Sequence, residues 1–188
     1  MASHRLPDRP HHGQTEDVGM NNQAPAPGVD QQAGGRHSSF PADGVAVVIG
    51  ATGAIGSALA ERLSASRCFH SVIGLSRSGT PALDLASENS ISEAAASVAT
   101  LDHPLRLVID ATGFLHGDDA MPEKTWRDLD ADRLAHAFAV NSIGPALLMK
   151  HFLPLLARDG KAVFATLSAR VGSIGDNKLG GWYGYRAS

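Results

Sequence analysis

An α/β fold built on a parallel sheet is predicted by three features of the sequence. Short β-branched runs alternate with longer helix-like segments from Val45 onward, Val45-Ala-Val-Val-Ile49 reads as a buried strand, and a glycine-bearing turn follows that strand directly and opens a helix. Ser57 to Ser66 is the helix after the turn, and Ser71-Val-Ile-Gly-Leu75 is the second strand. A short third strand is expected near Ala82-Leu83, followed by an Ala-rich helix from Ser90 to Thr100. Leu105-Arg-Leu-Val-Ile109 is the fourth strand, and a loop with Gly113, Gly117 and Pro122 comes after it. The longest helix candidate runs from Ala131 to Ala157 and is opened by Asp130, whose carboxylate can cap the free amides of a first turn. Pro145 and Pro154 should kink or end it locally, while Leu134, Phe138, Ile143 and Leu147 fall near helical spacing and predict the face that packs on the sheet. Lys161-Ala-Val-Phe-Ala-Thr-Leu167 is the fifth strand, after which a Gly-rich loop leads to the start of a new helix.

The 188 residues are 43% hydrophobic with a formal charge of −3, enough apolar material for one domain of ordinary size. No basic run points to nucleic acid, and Asn141, Lys150 and His151 interrupt the longest apolar stretches well short of the roughly 20 residues a membrane span needs. Cys68 is the only cysteine; it reads as a structural thiol in a reducing compartment. Residues 1–43 are rich in Pro, Gly, Gln, Asn and His and show almost no apolar periodicity, the composition of a disordered tail. That tail has neither the apolar core of a secretory signal nor the acid-poor character of a transit peptide, so a cytoplasmic location is expected. Residues 44–188 are the expected folded domain.

The chemistry starts at Gly50-Ala-Thr52-Gly53-Ala54-Ile55-Gly56. Between a strand and a helix, glycines permit a tight turn and close backbone approach, and the helix amides are left to bind a pyrophosphate. An ordinary strand-to-helix turn with glycines for packing is the alternative reading. At the end of the second strand, an Asp or Glu would bond a ribose 2′-hydroxyl; the sequence has Ser76-Arg77 instead. A guanidinium there can pair bidentately with a 2′-phosphate, so NADP(H) is favoured and NAD(H) is the other possibility, an exposed Arg in a surface loop being the alternative reading. No metal is expected.

With that turn, Asn141 in the long helix, serines after the fifth strand and a terminal Tyr, residues from about Val45 resemble the short-chain dehydrogenase/reductase family. The likeness is greatest to its C-factor and sniffer-type carbonyl reductase branch, through Ser168-Ala-Arg-Val-Gly-Ser-Ile-Gly-Asp-Asn-Lys-Leu-Gly-Gly-Trp-Tyr-Gly-Tyr-Arg-Ala-Ser188. The resemblance implies a Rossmann-type doubly wound parallel sheet, here truncated after the fifth strand, and an oxidoreductase acting on a carbonyl or alcohol substrate. The glycine turn has the G-x-x-G-x-x-G form rather than the family's G-x-x-x-G-x-G, and Asp110-Ala111-Thr112-Gly113 stands where Asn-Asn-Ala-Gly is common. Asp84 matches the family's Asp near the adenine ring, a turn Asp being the alternative. Tyr185 matches the proton-donating Tyr, with Tyr183 as its competitor, and Asn141 matches the Asn that anchors a proton-relay water. Ser168, or next Ser173, matches the serine that polarises the carbonyl.

In the family pattern Tyr-x-x-x-Lys, the lysine for Tyr185 would follow Ser188. Two functional expectations result: the N-terminal part of a longer NADP(H)-dependent enzyme, or a non-catalytic nucleotide-binding or interaction fragment with little or no turnover. The complete family fold implies a homo-oligomer through a helix-mediated surface that this chain would leave incomplete. Trp182 and Phe114 are candidates for a hydrophobic pocket, with core packing as the alternative.

Overall fold

The computed structural model describes residues 39–117 and 121–188; most of the expected tail lies outside the described residues. Four parallel strands, β1 (Val45–Ile49), β2 (Ser71–Leu75), β3 (Leu105–Asp110) and β4 (Val163–Thr166), form one sheet in the order β2-β1-β3-β4. The helices are α1 (Ala54–Ser66), α2 (Glu88–Ala99), α3 (Ala131–Phe138), α4 (Gly144–Phe152) and the short α5 (Tyr183–Ala187). This is the α/β architecture expected from the alternation of strands and helices, and the parallel sheet is of the Rossmann type that the resemblance implied.

All five β1 residues are buried, as a central parallel strand covered on both faces requires. Val45, Val47 and Ile49 point into a core shared with Ile91, Ala94 and Val98 of α2 and Leu148 and Phe152 of α4. Their neighbours Ala46 and Val48 face the opposite layer, where α1 packs on β1 and β2. Within β3 the register shifts at Arg106, so that Leu105 and Val108 both reach the same core. Arg106 itself is buried, with Nη1 2.7 Å from the exposed carboxylate of Asp159. That guanidinium holds the Asp159 carboxyl below the usual carboxylate range.

Ala82-Leu83 is not a strand. The Leu83 amide donates to the Ser76 carbonyl (2.9 Å), closing a compact turn after β2, and the Leu83 side chain enters the core. The apolar signal was that of a buried loop anchor. The helix expected across residues 131–157 is likewise broken: a π-helical turn, Ala139–Ile143, separates α3 from α4, and a 3-10 turn at Leu153–Leu155 contains Pro154. Pro145 falls in the first turn of α4, directly after the π turn. The wider π turn rotates the helix after it, so the buried residues are Ala137, Gly144, Leu148 and Phe152, while Phe138 and Ile143 are exposed and Leu134 and Leu147 half-buried.

Before β1, Phe40 packs on Phe69 with ring centroids 5.2 Å apart, and Lys161 lies over the Phe40 ring. Residues 39–43 thus belong to the packed surface, although their composition resembles that of the preceding segment.

Candidate functional site

The strands end together: Ile49 is in register with Leu75 and Asp110, and Asp110 with Thr166. Their carboxyl ends therefore deliver the turn at Gly50, the Ser76-Arg77 pair, the Ala111–Gly113 strip and the Ser168 segment to one side of the sheet, the side where open α/β sheets bind ligands.

The glycine turn is built by close approach. Gly50 has φ +81°, in the left-handed region that favours glycine, and a side chain there would press on the Ala111 carbonyl and the Thr112 methyl group. A Cβ at Gly56 would collide with the Gly50 carbonyl, so this glycine lets α1 sit directly on the turn. Gly53 is the N-cap of α1 and has no side chain to offer, leaving the amides of Ala54, Ile55 and Gly56 without a side-chain cap at the positive end of a 13-residue helix. Thr52 is exposed beside them. These residues fit a nucleotide pyrophosphate. Arg77 is exposed at the end of β2 and makes no ion pair with a described residue; Ser76 is buried, with its hydroxyl 3.4 Å from that of Ser78. The Asp84 carboxylate accepts from the Ala86 amide (3.0 Å), the local geometry of a turn Asp.

A broad cleft of about 850 Å³ gathers Ile55, the Ala111–Gly113 strip, Asn141, Ser168, Ser173 and Tyr185. Gly113 faces open space, and a Cβ added there would meet no atom within 4 Å. Asn141 occupies the π turn and bridges three segments: its Oδ1 accepts from the Phe114 amide (2.7 Å), and its Nδ2 donates to the Phe114 carbonyl (2.8 Å) and to Ser188 Oγ (2.9 Å). Ser142 adds a bond from its hydroxyl to the Ser188 carbonyl (2.8 Å). Tyr185 stands on α5, with the Trp182 ring edge-on at 6.4 Å. Arg186, its sequence neighbour, donates from Nε to the Gly181 carbonyl (2.9 Å) and from Nη1 to the Val171 carbonyl (2.8 Å). Its guanidinium is thus committed to loop backbone. Ser168 and Ser173 both line the cleft, on either side of a 3-10 turn at Arg170–Gly172.

Two site residues escape a reading of the sequence. Asp110, only 1% exposed, accepts from the Thr112 amide (3.1 Å) and hydroxyl through Oδ1 and from the Thr166 hydroxyl (2.7 Å) through Oδ2. It knits the ends of β3 and β4 below the cleft. The substitution of Asp for Asn at the head of the Asp-Ala-Thr-Gly strip was the available signal. Glu123 is the second: it is buried, and its carbonyl accepts from the Trp182 amide (2.6 Å), tying the loop after β3 to the start of α5. Nothing in its local sequence marks it.

No protein-family model matches the chain. A curated relative, 1-hydroxy-2-glutathionyl-2-methyl-3-butene dehydrogenase of Rhodococcus sp. (strain AD45), is 32% identical over 108 residues, which are 57% of this chain and 44% of that protein. The chain thus spans less than half the length of the curated relative it matches. Among solved structures, one assigned as the carbonyl reductase Sniffer of Caenorhabditis elegans superposes with a TM-score of 0.68 at 23% identity, over 77% of this chain and 72% of its own. One assigned as a short-chain dehydrogenase/reductase of Burkholderia multivorans, with NADP bound, gives 0.65 at 20% identity, over 77% and 67%. The fold is that of the short-chain dehydrogenases/reductases. Among the described residues, no helix is long and apolar enough to cross a membrane, and no cluster of His, Cys, Asp or Glu is disposed to hold a metal.

Proposed function

We propose that the chain carries the nucleotide site and the proton-donating tyrosine of an NADP(H)-dependent oxidoreductase of the short-chain dehydrogenase/reductase family, acting on a carbonyl or alcohol substrate. The observation that carries this reading is the cleft itself: Tyr185, Asn141 and two serines share one wall system with Ile55 of the glycine turn and the Ala111–Gly113 strip. The similarity to a curated dehydrogenase supports the reaction class, and the NADP held by a structure of the same fold supports the cofactor.

The α1 amides and the glycine turn would hold the pyrophosphate, Arg77 the 2′-phosphate, and Ala111 to Gly113 the floor of the cleft. When bound, the nicotinamide supplies or accepts the hydride. Tyr185 donates its hydroxyl proton to the carbonyl oxygen in reduction and recovers one from the alcohol in oxidation. Ser168 donates a hydrogen bond to that oxygen, with Ser173 as the alternative donor. Asn141 holds the loop at Phe114 through both atoms of its amide, which keeps the cleft wall in register with the π turn.

A specific observation favours a second reading, nucleotide binding without turnover by the 188-residue chain. A tyrosine that works as an acid–base group near neutrality needs a neighbouring cation, yet Arg186 is spent on backbone carbonyls and no other cation pairs with Tyr185 among the described residues. Fluorescence titration with NADPH and NADH, followed by turnover assays on simple ketones, separates the readings. Saturable binding that prefers NADPH, with turnover abolished in Tyr185→Phe, is the outcome of the first. Preferential binding without turnover is the outcome of the second, and no binding to either nucleotide by soluble chain overturns both.

A further inference from the structure

Beside the broad cleft lies a smaller cavity of about 190 Å³, between the loop after β3, α3 and the start of α5. Its walls are mostly apolar, from Phe114, Leu115, Met121 and Pro122, and Leu115 and Tyr185 border both this cavity and the cleft. A substrate whose reacting carbon lies at Tyr185 therefore has a second space into which its far end can extend.

The cavity contains Glu123. The residue is 8% exposed, lines the cavity, and sets its Oε1 against Gly184, where an added Cβ would lie only 3.0 Å away. Its carboxylate receives no hydrogen bond or ion pair from any described residue. Arg133 borders the same cavity, but its Nη2 donates to the Asp128 carbonyl (3.2 Å) and its Nε faces Asp130 at 3.7 Å. Carboxylate oxygens in a largely apolar cavity call for hydrogen-bond donors, and those of Glu123 are open to the cavity, since among the described residues only Arg106 has sealed side-chain atoms without a partner. A donor that arrives with a ligand meets this requirement without any rearrangement of the protein.

We infer that this cavity is a substrate subsite in which Glu123 recognises a second hydrogen-bond donor, a hydroxyl or a protonated amine, on the part of the substrate remote from its carbonyl. The inference rests on the proposed oxidoreductase reading for the placement of the carbonyl at Tyr185, and it narrows the substrate to an apolar body with such a donor. Glu123 acts here as a specificity residue. Both donor types bring an N–H or O–H to the carboxylate, and only the amine adds charge.

The test compares binding of acetophenone, 4-(hydroxymethyl)acetophenone and 4-(aminomethyl)acetophenone to the full chain by ligand-observed NMR, with and without NADPH. A hydrogen bond to a charged group predicts that the two substituted ketones bind about tenfold or more tightly than acetophenone. Glu123→Ala should erase both advantages. Glu123→Gln should erase the amine's advantage while retaining most of the hydroxyl's, and if only one substituted ketone is preferred in the wild type, that ketone identifies the donor. Equal affinity for all three ketones in the wild-type chain, or binding of none, overturns the inference without reliance on any variant. A preference that survives in folded Glu123→Ala does so too, because groups other than the carboxylate then select the ligand. Failure of the two readings is separable: discrimination among the ketones without NADPH binding leaves the subsite standing and removes the oxidoreductase assignment, whereas NADPH binding without discrimination does the reverse.

Discussion

Arg77 and Asp110 differ in what surrounds each side chain, one open to solvent and one enclosed by the scaffold. Arg77 stands exposed with no ion-pair partner among the described residues at the end of β2, where a 2′-phosphate would meet it. Replacing it with Ala should weaken NADPH binding about tenfold or more and leave NADH binding unchanged, read by paired fluorescence titrations. An equal loss for both nucleotides would show that the guanidinium supports the fold instead. Asp110 is the opposite case, since its carboxylate is enclosed and accepts from Thr112 and Thr166. Asp110→Ala leaves these donors unpaired in the interior and should cost about 2–3 kcal/mol in urea unfolding, with Asp110→Asn losing less because one oxygen acceptor remains. Arg77 could be put forward from the sequence because a basic residue at a strand end has a known chemical consequence, and its role remains a proposal. Asp110 could not, because its donors come partly from a strand more than fifty residues away.

Contacts between elements are governed by terminal charges and by helix register. Glu88 lies in the first turn of α2, where an acid suits the helix dipole, and it contacts the last turn of α4: Lys150 Nζ at 2.5 Å and His151 Nε2 at 3.1 Å from the same oxygen. Lys150 first, and His151 second, hold the Glu88 carboxyl below its usual range. A depressed carboxylate contributes stability that is present above its unfolded pKa and is lost as pH falls through its folded one. Acid unfolding of wild type should therefore steepen below the ordinary glutamate range, and Glu88→Gln should flatten that limb slightly and lower neutral-pH stability by the same small amount, as an exposed pair implies. Circular dichroism melts from pH 7 to pH 3 check the prediction; parallel acid limbs in the two proteins would contradict it. The helix face was the weakest part of the sequence reading. Leu134, Phe138, Ile143 and Leu147 follow an uninterrupted 3.6-residue period, but the π turn at Ala139–Ile143 resets that period and turns Phe138 and Ile143 outward. The same turn seats Asn141 between Phe114 and Ser188, so the irregularity that interrupts the periodicity also places one residue of the cleft wall.

At the scale of the molecule, strand order brings the site together, and ligand binding should feed back on stability. A nucleotide that binds only the folded chain adds stability by mass action, about 2.7 kcal/mol at a free concentration one hundred times its dissociation constant. Thermal melts should rise with the logarithm of NADPH concentration and respond less to NADH at the same concentration. No response to NADPH at concentrations that saturate a titration would mean that the bound species is not the folded one. Among the described residues, β2 and β4 form the two edges of the sheet, and β4 is less completely buried than β1. An open edge offers unpaired backbone groups to other chains, so melts at several protein concentrations are needed to keep association apart from ligand effects.

By itself the sequence determined the order of strands and helices, the buried first strand and the glycine turn, because these depend on short-range periodicity and on the backbone freedom of residues adjacent in the chain. It also brought Asn141, Ser168 or Ser173, and Tyr185 forward as candidates through their order along a family pattern. The absence of a strand at Ala82-Leu83 was decided by tertiary structure, since Leu83 is held by a bond to Ser76 and by core contacts rather than by a neighbouring strand. The helix face and the enclosure of Asp110 and Glu123 were decided in the same way. Burial and hydrogen-bond satisfaction are properties of segments that meet in space, and a carboxylate acquires its role from what surrounds it.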